Sequence, residues 1–207
     1  MNRKAFEKMN YGLYIVSAAA DGKRYGCIVN SLAQVTSSQP AKFTITLNKD
    51  NATCDAVQKA GSFSATMLAK DCPKDWIHLF GYKSTRVVDK FDGLASQMDA
   101  AGNPYLTEHM AARISCNVVD SLAIGNYILF VGEATEAEVL SDSLVLTVDE
   151  FKNKGNTPPP AATVYRTLDG TEGYKCTVCG YVYDKDTLPE GYQCPICRAP
   201  ASKFEKR

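Results

Sequence analysis

The chain has 207 residues, 45% of them apolar and 22% charged, and its 23 Lys and Arg are balanced by 23 Asp and Glu. That is room for one ordinary domain and a small one, and a net charge of zero lends no support to a nucleic-acid or membrane-surface role. No stretch approaches the ~18 consecutive apolar residues of a membrane span, and Met1-Asn2-Arg3-Lys4-Ala5-Phe6-Glu7-Lys8 has no apolar signal core, so the expectation is a cytoplasmic protein that contacts neither membrane nor nucleic acid.

From the N-terminus, strands are expected over 12–17 and 26–30, and then over 43–47, where Phe43, Ile45 and Leu47 alternate with Thr44 and Thr46. Alternation with β-branched residues marks half-buried strands. A helix over 53–60 follows, with Thr53 as its N-cap and Gly61 as its stop. After a strand over 62–68, a second helix over 73–80 opens on Pro73, and Gly81 follows its end. Ile114, Cys116 and Val118 alternate with Ser115 and Asn117, and a long strand is expected over 127–140. Leu144, Leu146 and Val148 keep the strand period, blurred by the apolar Val145. Many short strands with few helices make the larger domain mainly β, a barrel or sandwich.

The composition divides the chain into 1–153, a Pro/Gly-rich segment 154–173 and a small unit 174–207. The middle segment holds Pro158-Pro159-Pro160 and later Gly170 and Gly173. Three prolines exclude helix and central strand and favour extended polyproline geometry, hence a semi-rigid linker. An arm packed along the first domain, anchored by Val164 and Tyr165, is the alternative.

Of the eight cysteines, Cys27, Cys54, Cys72 and Cys116 are scattered singly, as buried small hydrophobes are. The other four form two C-x-x-C pairs, Cys176/Cys179 and Cys194/Cys197. Two such knuckles present four thiolates in a tetrahedron, a donor set that selects zinc or iron. A unit as small as 174–207 rarely folds without metal or crosslinks, so metal binding is part of its folding free energy. Its surroundings decide the metal. Tyr174-Lys175-Cys176-Thr177-Val178-Cys179-Gly180-Tyr181-Val182-Tyr183, then Cys194-Pro195-Ile196-Cys197 and the late Phe204, resemble rubredoxins. The resemblance implies one iron in a four-cysteine site, with zinc as the alternative, and an aromatic core of Tyr174, Tyr181 and Phe204. The spacing between Cys179 and Cys194 is shorter than in free-standing rubredoxins, and Arg198 stands where the family often has glycine. The unit carries six Lys/Arg against four Asp/Glu, unlike the usually acidic free rubredoxins.

Polar residues of the larger domain gather in three places: Asn30-Ser31 with Gln34-Val35-Thr36-Ser37; Asn48-Lys49 with Asn51 and Thr53; and Ser84-Thr85-Arg86 with Asp89-Lys90. Read singly, Thr53 is an N-cap, Lys49 ends a strand, and Arg86 and Lys90 lie on a charged face. In this order, with Gly26-Cys27-Ile28-Val29 before the first and Phe80-Gly81-Tyr82-Lys83 before the third, they resemble the flavin reductase-like family of FMN-binding split barrels. The resemblance implies a Greek-key split barrel that forms a homodimer and holds FMN near the dimer interface. Arg86, Lys90, Ser31 and Thr53 are residue types that bind phosphate by charge-assisted hydrogen bonds, and a helix opening at Thr53 favours an anion. Gln34 and Thr36 offer donors and acceptors to the flavin's pyrimidine edge. In the run Gly125-Asn126-Tyr127-Ile128-Leu129-Phe130-Val131-Gly132, Tyr127 stands where the family often has histidine near the nicotinamide.

The order of the two units resembles the high-molecular-weight rubredoxins of anaerobic bacteria. That implies an oxidoreductase passing electrons from NADH or NADPH through FMN to the iron and on to a partner redox protein such as a flavodiiron oxygen or nitric oxide reductase. A flavin accepts an electron pair and releases it singly, which suits a one-electron metal. Two alternatives are a flavoredoxin-like carrier with no nicotinamide site of its own, and an FMN-binding module with a structural zinc ribbon.

Overall fold

The computed structural model describes residues 2–156, 158–159, 173–177, 182–183, 185, 187–194 and 199–206. After a 3-10 turn at Arg3–Lys8, the chain forms β1 (Tyr14–Ala20), β2 (Lys23–Val29), β3 (Ala33–Gln34), β4 (Lys42–Asn48), α1 (Ala52–Ala60), β5 (Ser62–Leu68) and α2 (Lys74–Tyr82). It continues through β6 (Ser96–Met98), β7 (Pro104–Leu106), β8 (Met110–Ile124), β9 (Tyr127–Val139) and α3 (Val148–Asn153). Seven of these strands make one antiparallel sheet in the order β2-β1-β5-β8-β9-β4-β3. The sheet curls until its ends meet: β2 touches β4, and Ser31, just beyond β2, bonds to Thr46 of β4. The fold is the mainly β split barrel that the sequence leads one to expect, with β6 and β7 as a separate hairpin.

Alternation puts Val16, Val29, Ile45, Leu47, Phe63 and Phe130 inside the barrel, where α1 adds Cys54 and Val57. A second core lies on the other face of β1 and β2, with Leu13, Ile15, Ile28, Phe80, Phe91 and Phe151. β1 is therefore buried on both faces, and its sequence lacks a period of two for that reason. Cys27, Cys54, Cys72 and Cys116 are all buried. Burial pushes their thiols up, to about 11 for Cys54 and about 12 for Cys72 and Cys116.

Strand ends shift by up to three residues from the sequence reading, and three further departures bear on the site. Asn51, not Thr53, caps α1: its extended backbone precedes the helix and its Oδ1 accepts from Thr53 N at 3.0 Å. Gly61 stops α1 as expected, in the left-handed region at φ 65°. Gly81, read as the stop of α2, lies inside it, and Lys83 is the cap. A Cβ at Gly81 would come within 2.6 Å of the Pro159 ring, and Pro158 and Pro159 are buried. The glycine thus seats the start of the interdomain segment against α2. Finally, 144–148 is not a strand. Val145 and Thr147 make only isolated bridges to Ala69 and Gly12. Thr147 and Glu150 close a reciprocal capping box that opens α3.

In the small unit, β10 (Tyr174–Cys176), β11 (Val182–Tyr183) and β12 (Phe204–Lys206) form a sheet in the order β11-β10-β12. Most of the segment 154–173, including Val164 and Tyr165, lies outside the described residues. Among the described residues no helix is long and apolar enough to cross a membrane.

Candidate functional site

The turn from β4 into α1 and the loop after α2 meet at the N-terminal end of α1. Asn48 Oδ1 accepts from Asp50 N (2.8 Å) and its carbonyl from Asn51 N (3.0 Å), which folds the turn tightly. Lys49 crosses to the β8–β9 turn, its Nζ donating to Gly125 O (2.6 Å) and its main-chain N–H to Asn126 O (2.9 Å). From the other loop, Arg86 Nη1 donates to Asp50 O (3.0 Å) and Nη2 to Asp55 Oδ2 (3.1 Å). Ser84 shapes that loop, its Oγ accepting from Arg86 N (3.2 Å) and its carbonyl from Val87 N and Val88 N. The Oγ1 atoms of Thr53 and of Thr85, beside Arg86 in the chain, are buried with no hydrogen-bond partner among the described residues.

This corner fits an anion. A nine-residue helix directs its positive end there. The guanidinium is more than half exposed and retains donors, while Asp55, its present partner, is also more than half exposed and forms a weak pair that a phosphate can displace. Thr53 and Thr85 add two buried hydroxyls close by in the chain.

The rim formed by β3 lies across the barrel seam. Gln34 Nε2 donates to Thr36 O (2.8 Å), Thr36 Oγ1 accepts from Lys42 N (3.0 Å), and Val35 N donates to Lys42 O (2.8 Å). The side chains of Gln34, Val35 and Ser37 are exposed. Next to Gln34 opens a cavity of about 340 Å³ walled by Tyr14, Leu32, Phe43 and Met67, with Thr147 as a further polar group. Burial pushes the Tyr14 phenol up, against a smaller opposing effect of the Gly12 backbone. Phe43, Tyr14 and Thr147 escaped the sequence reading because strands distant in the chain meet only when the sheet closes. Thr85 stood next to Ser84 and Arg86 but carries no motif of its own.

Two expected phosphate partners are engaged elsewhere. Ser31 Oγ donates to Thr46 O (3.1 Å) and accepts from Thr46 N (2.9 Å), so its single proton holds the barrel seam. Lys90 is only 2% exposed, and its ammonium donates to Gly26 O (2.8 Å) and Phe80 O (3.1 Å). Lys90 is therefore an interior group here, not a phosphate ligand. Asn30 is likewise buried, at the end of β2. His109 sits on Asp71 (2.8 Å) with its ring edge-on to Trp76, and Tyr127 pairs with Asn48 at the base of the β8–β9 turn.

In the small unit Cys176 and Cys194 are fully buried and pack together with Ala199 and Phe204. Cys176 is opposite Phe204 in the sheet, and Cys194 N donates to Ala199 O (2.8 Å). Cys179, Cys197 and Tyr181 lie outside the described residues. Tyr183 and Tyr192 (ring centres 4.6 Å apart) and Phe204 (5.4 Å from Tyr192) build the aromatic wall, so Tyr183 and Tyr192 join the aromatic residues expected there. Two cysteine sulfurs sealed in an apolar pocket suit ligation of a soft or borderline cation, which makes thiolate burial favourable.

Residues 6–154 match the flavin reductase-like domain family and residues 174–205 the rubredoxin-like domain of rubrerythrin. A high molecular weight rubredoxin from Moorella thermoacetica is 33% identical over the full length of both chains. A ferric-chelate reductase (NAD(P)H) from Archaeoglobus fulgidus is 40% identical over 80% of this chain and 98% of its own. The FMN-binding protein of Thermus thermophilus, solved with bound p-hydroxybenzaldehyde, shares the fold at a TM-score of 0.58 and 22% identity, over 65% of this chain and 74% of that one. These matches place the chain in the flavin reductase-like family, as an oxidoreductase that carries a C-terminal rubredoxin domain.

Proposed function

We propose that the protein takes electrons from NADH or NADPH onto FMN, passes them singly to an iron held by Cys176, Cys179, Cys194 and Cys197, and delivers them to a partner redox protein, for which a flavodiiron-type reductase is suited. The observation that carries this reading is the corner made by Arg86, Thr53, Thr85 and the α1 N-terminus, on the same chain as the buried cysteine pocket. The corner offers charge, two hydroxyls and helix amides to a phosphate, and Gln34 and Thr36 offer polar groups to a ring lying along β3. FMN supplies the conversion of a two-electron donor to one-electron delivery. The NAD(P)H named for the Archaeoglobus relative supports a nicotinamide donor.

Anaerobic titration of the purified protein with NADH, and then NADPH, tests this. The expected result is loss of the flavin bands together with the iron–thiolate charge-transfer band. Tyr127, where the family often has histidine, favours one other reading, a carrier loaded by another protein; both bands present and unmoved by either nucleotide would establish it.

A homodimer belongs to the same reading. The far end of the β8–β9 hairpin exposes Val119, Leu122 and Ile124, each at least half exposed. An apolar arm of this kind is suited to cover a second copy. Light scattering should give twice the mass of one chain, and the pair Leu122→Asp with Ile124→Asp should halve it; a monomeric parent protein would refute the dimer.

A further inference from the structure

We propose that Lys90 is a positioning residue for the anion corner: a buried clasp that closes the loop carrying Ser84, Thr85 and Arg86 and so sets the protein's affinity for phosphorylated flavin. This rests on the reading of that corner as a flavin phosphate site.

Three consecutive residues fasten the end of the loop. Asp89 pairs with Arg24 (2.6 Å) and accepts from Phe91 N (3.0 Å). Lys90 donates to Gly26 O on β2 and to Phe80 O in the last turn of α2. Phe91 packs edge-on against Phe80 with ring centres 5.1 Å apart. A Cβ at Gly26 would meet the Phe80 ring at 2.9 Å and the Phe91 ring at 3.1 Å, so Gly26 is what lets both rings reach the sheet. The Lys90–Phe80 bond joins the two ends of a loop ten residues apart in the chain, and between those ends Arg86 reaches Asp50 and Asp55 at α1. A cation on a helix C-terminal carbonyl is favourable in itself. No carboxylate bonds to this ammonium among the described residues. It is a positive charge held by carbonyls alone, 5.9 Å from the Phe80 ring centre.

The charge is also linked to the corner through Cys27. The Cys27 thiol is within electrostatic reach of the Lys90 ammonium and is also close to Thr53 and Asn51 at the start of α1. The other charged groups around the clasp are Arg24 on β2, Asp89 on the same turn, and Asp55 and Arg86 across the loop; α2 contributes a carbonyl and a ring. Burial pulls the Lys90 ammonium down to about 8. Burial holds the Cys27 thiol up, which favours its neutral form. A phosphate monoester, its second pKa being about 6, is already mostly a dianion at pH 7 and changes little above it. Between pH 7 and 9 Lys90 is thus the group in the clasp that changes charge, and the sign follows: protonated below about 8 it attracts the phosphate, and neutral above it no longer does.

The test is FMN titration of the full chain, freed of flavin, at pH 7 and 9, with amide exchange over 84–88. The parent protein should bind FMN up to about tenfold more weakly at pH 9 than at pH 7, the loss setting in near pH 8. Lys90→Met should bind weakly at both, with a flat profile and faster exchange at Arg86, Val87 and Val88. A flat profile in the parent protein overturns the clasp without recourse to any variant, as does parent-like affinity in Lys90→Met. No FMN binding by the parent protein at either pH would overturn the flavin reading and the clasp with it.

Discussion

Cys176→Ser should abolish reduction of a partner redox protein while leaving the flavin's reaction with NAD(P)H within about twofold of the parent protein. Cys176 is fully buried with Cys194, Ala199 and Phe204, and a serine there replaces a soft thiolate by a hydroxyl that remains protonated and ligates poorly. A unit of this size draws its folding free energy from the metal, so the substitution should remove the iron, its charge-transfer band and the packing of Phe204 on Tyr192 together. The larger domain should not follow. Among the described residues, its two cores, around Phe63 and around Phe80, contain none from 174 onward, and the anion corner draws on 48–55 and 84–86. The measurement is stopped-flow absorbance at the flavin and iron bands, with iron analysis alongside. At least a hundredfold loss of partner reduction with normal flavin bleaching is expected. Unchanged partner reduction would mean that electrons leave from the flavin directly, and loss of both reactions would mean that the domains do not act in series.

The C-terminal unit was legible because its chemistry is local: two C-x-x-C pairs and their aromatic neighbours lie within one short stretch, though Tyr183 and Tyr192 were not expected in the aromatic wall that they form with Phe204. The barrel strands were legible where one face is wet, as over 43–47, and blurred where both faces are buried, as at β1. The helix starts failed in instructive ways. Asn51 and Thr53 are both capping residues, and only the backbone at Asn51, extended before the first turn, decides between them. The Thr147–Glu150 box was present as T-x-x-E but was masked by the apolar run 144–148. Lys90 shows the deeper limit. Sequence order placed a lysine near a phosphate loop, yet nothing local tells a solvent-facing ammonium from one turned inward onto two carbonyls. That depends on Gly26, sixty-four residues away in the chain, leaving room for Phe80 and Phe91.

Arg86→Ala should weaken FMN binding by about ten- to a hundredfold and leave riboflavin binding unchanged. The guanidinium bonds Asp50 O and Asp55 at the start of α1, where a phosphate would replace the carboxylate as its partner. Hydrogen bonds to charged groups contribute about 1.5–3 kcal/mol, and about 1.4 kcal/mol is a factor of ten in affinity. Fold stability should barely move: Arg86 and Asp55 are 56% and 53% exposed, and exposed pairs contribute about 0.2–1 kcal/mol. This separation distinguishes a ligand contact from a structural tie. Asp55→Asn supplies the opposite sign, because it frees the guanidinium and removes a carboxylate from the helix start, so FMN should bind more tightly. Riboflavin, which lacks the phosphate, should distinguish neither variant from the parent protein. Calorimetric titration with both flavins makes the comparison. Equal losses for FMN and riboflavin in Arg86→Ala would place the residue's effect on the ring or the fold, and no loss for either would remove Arg86 from the site.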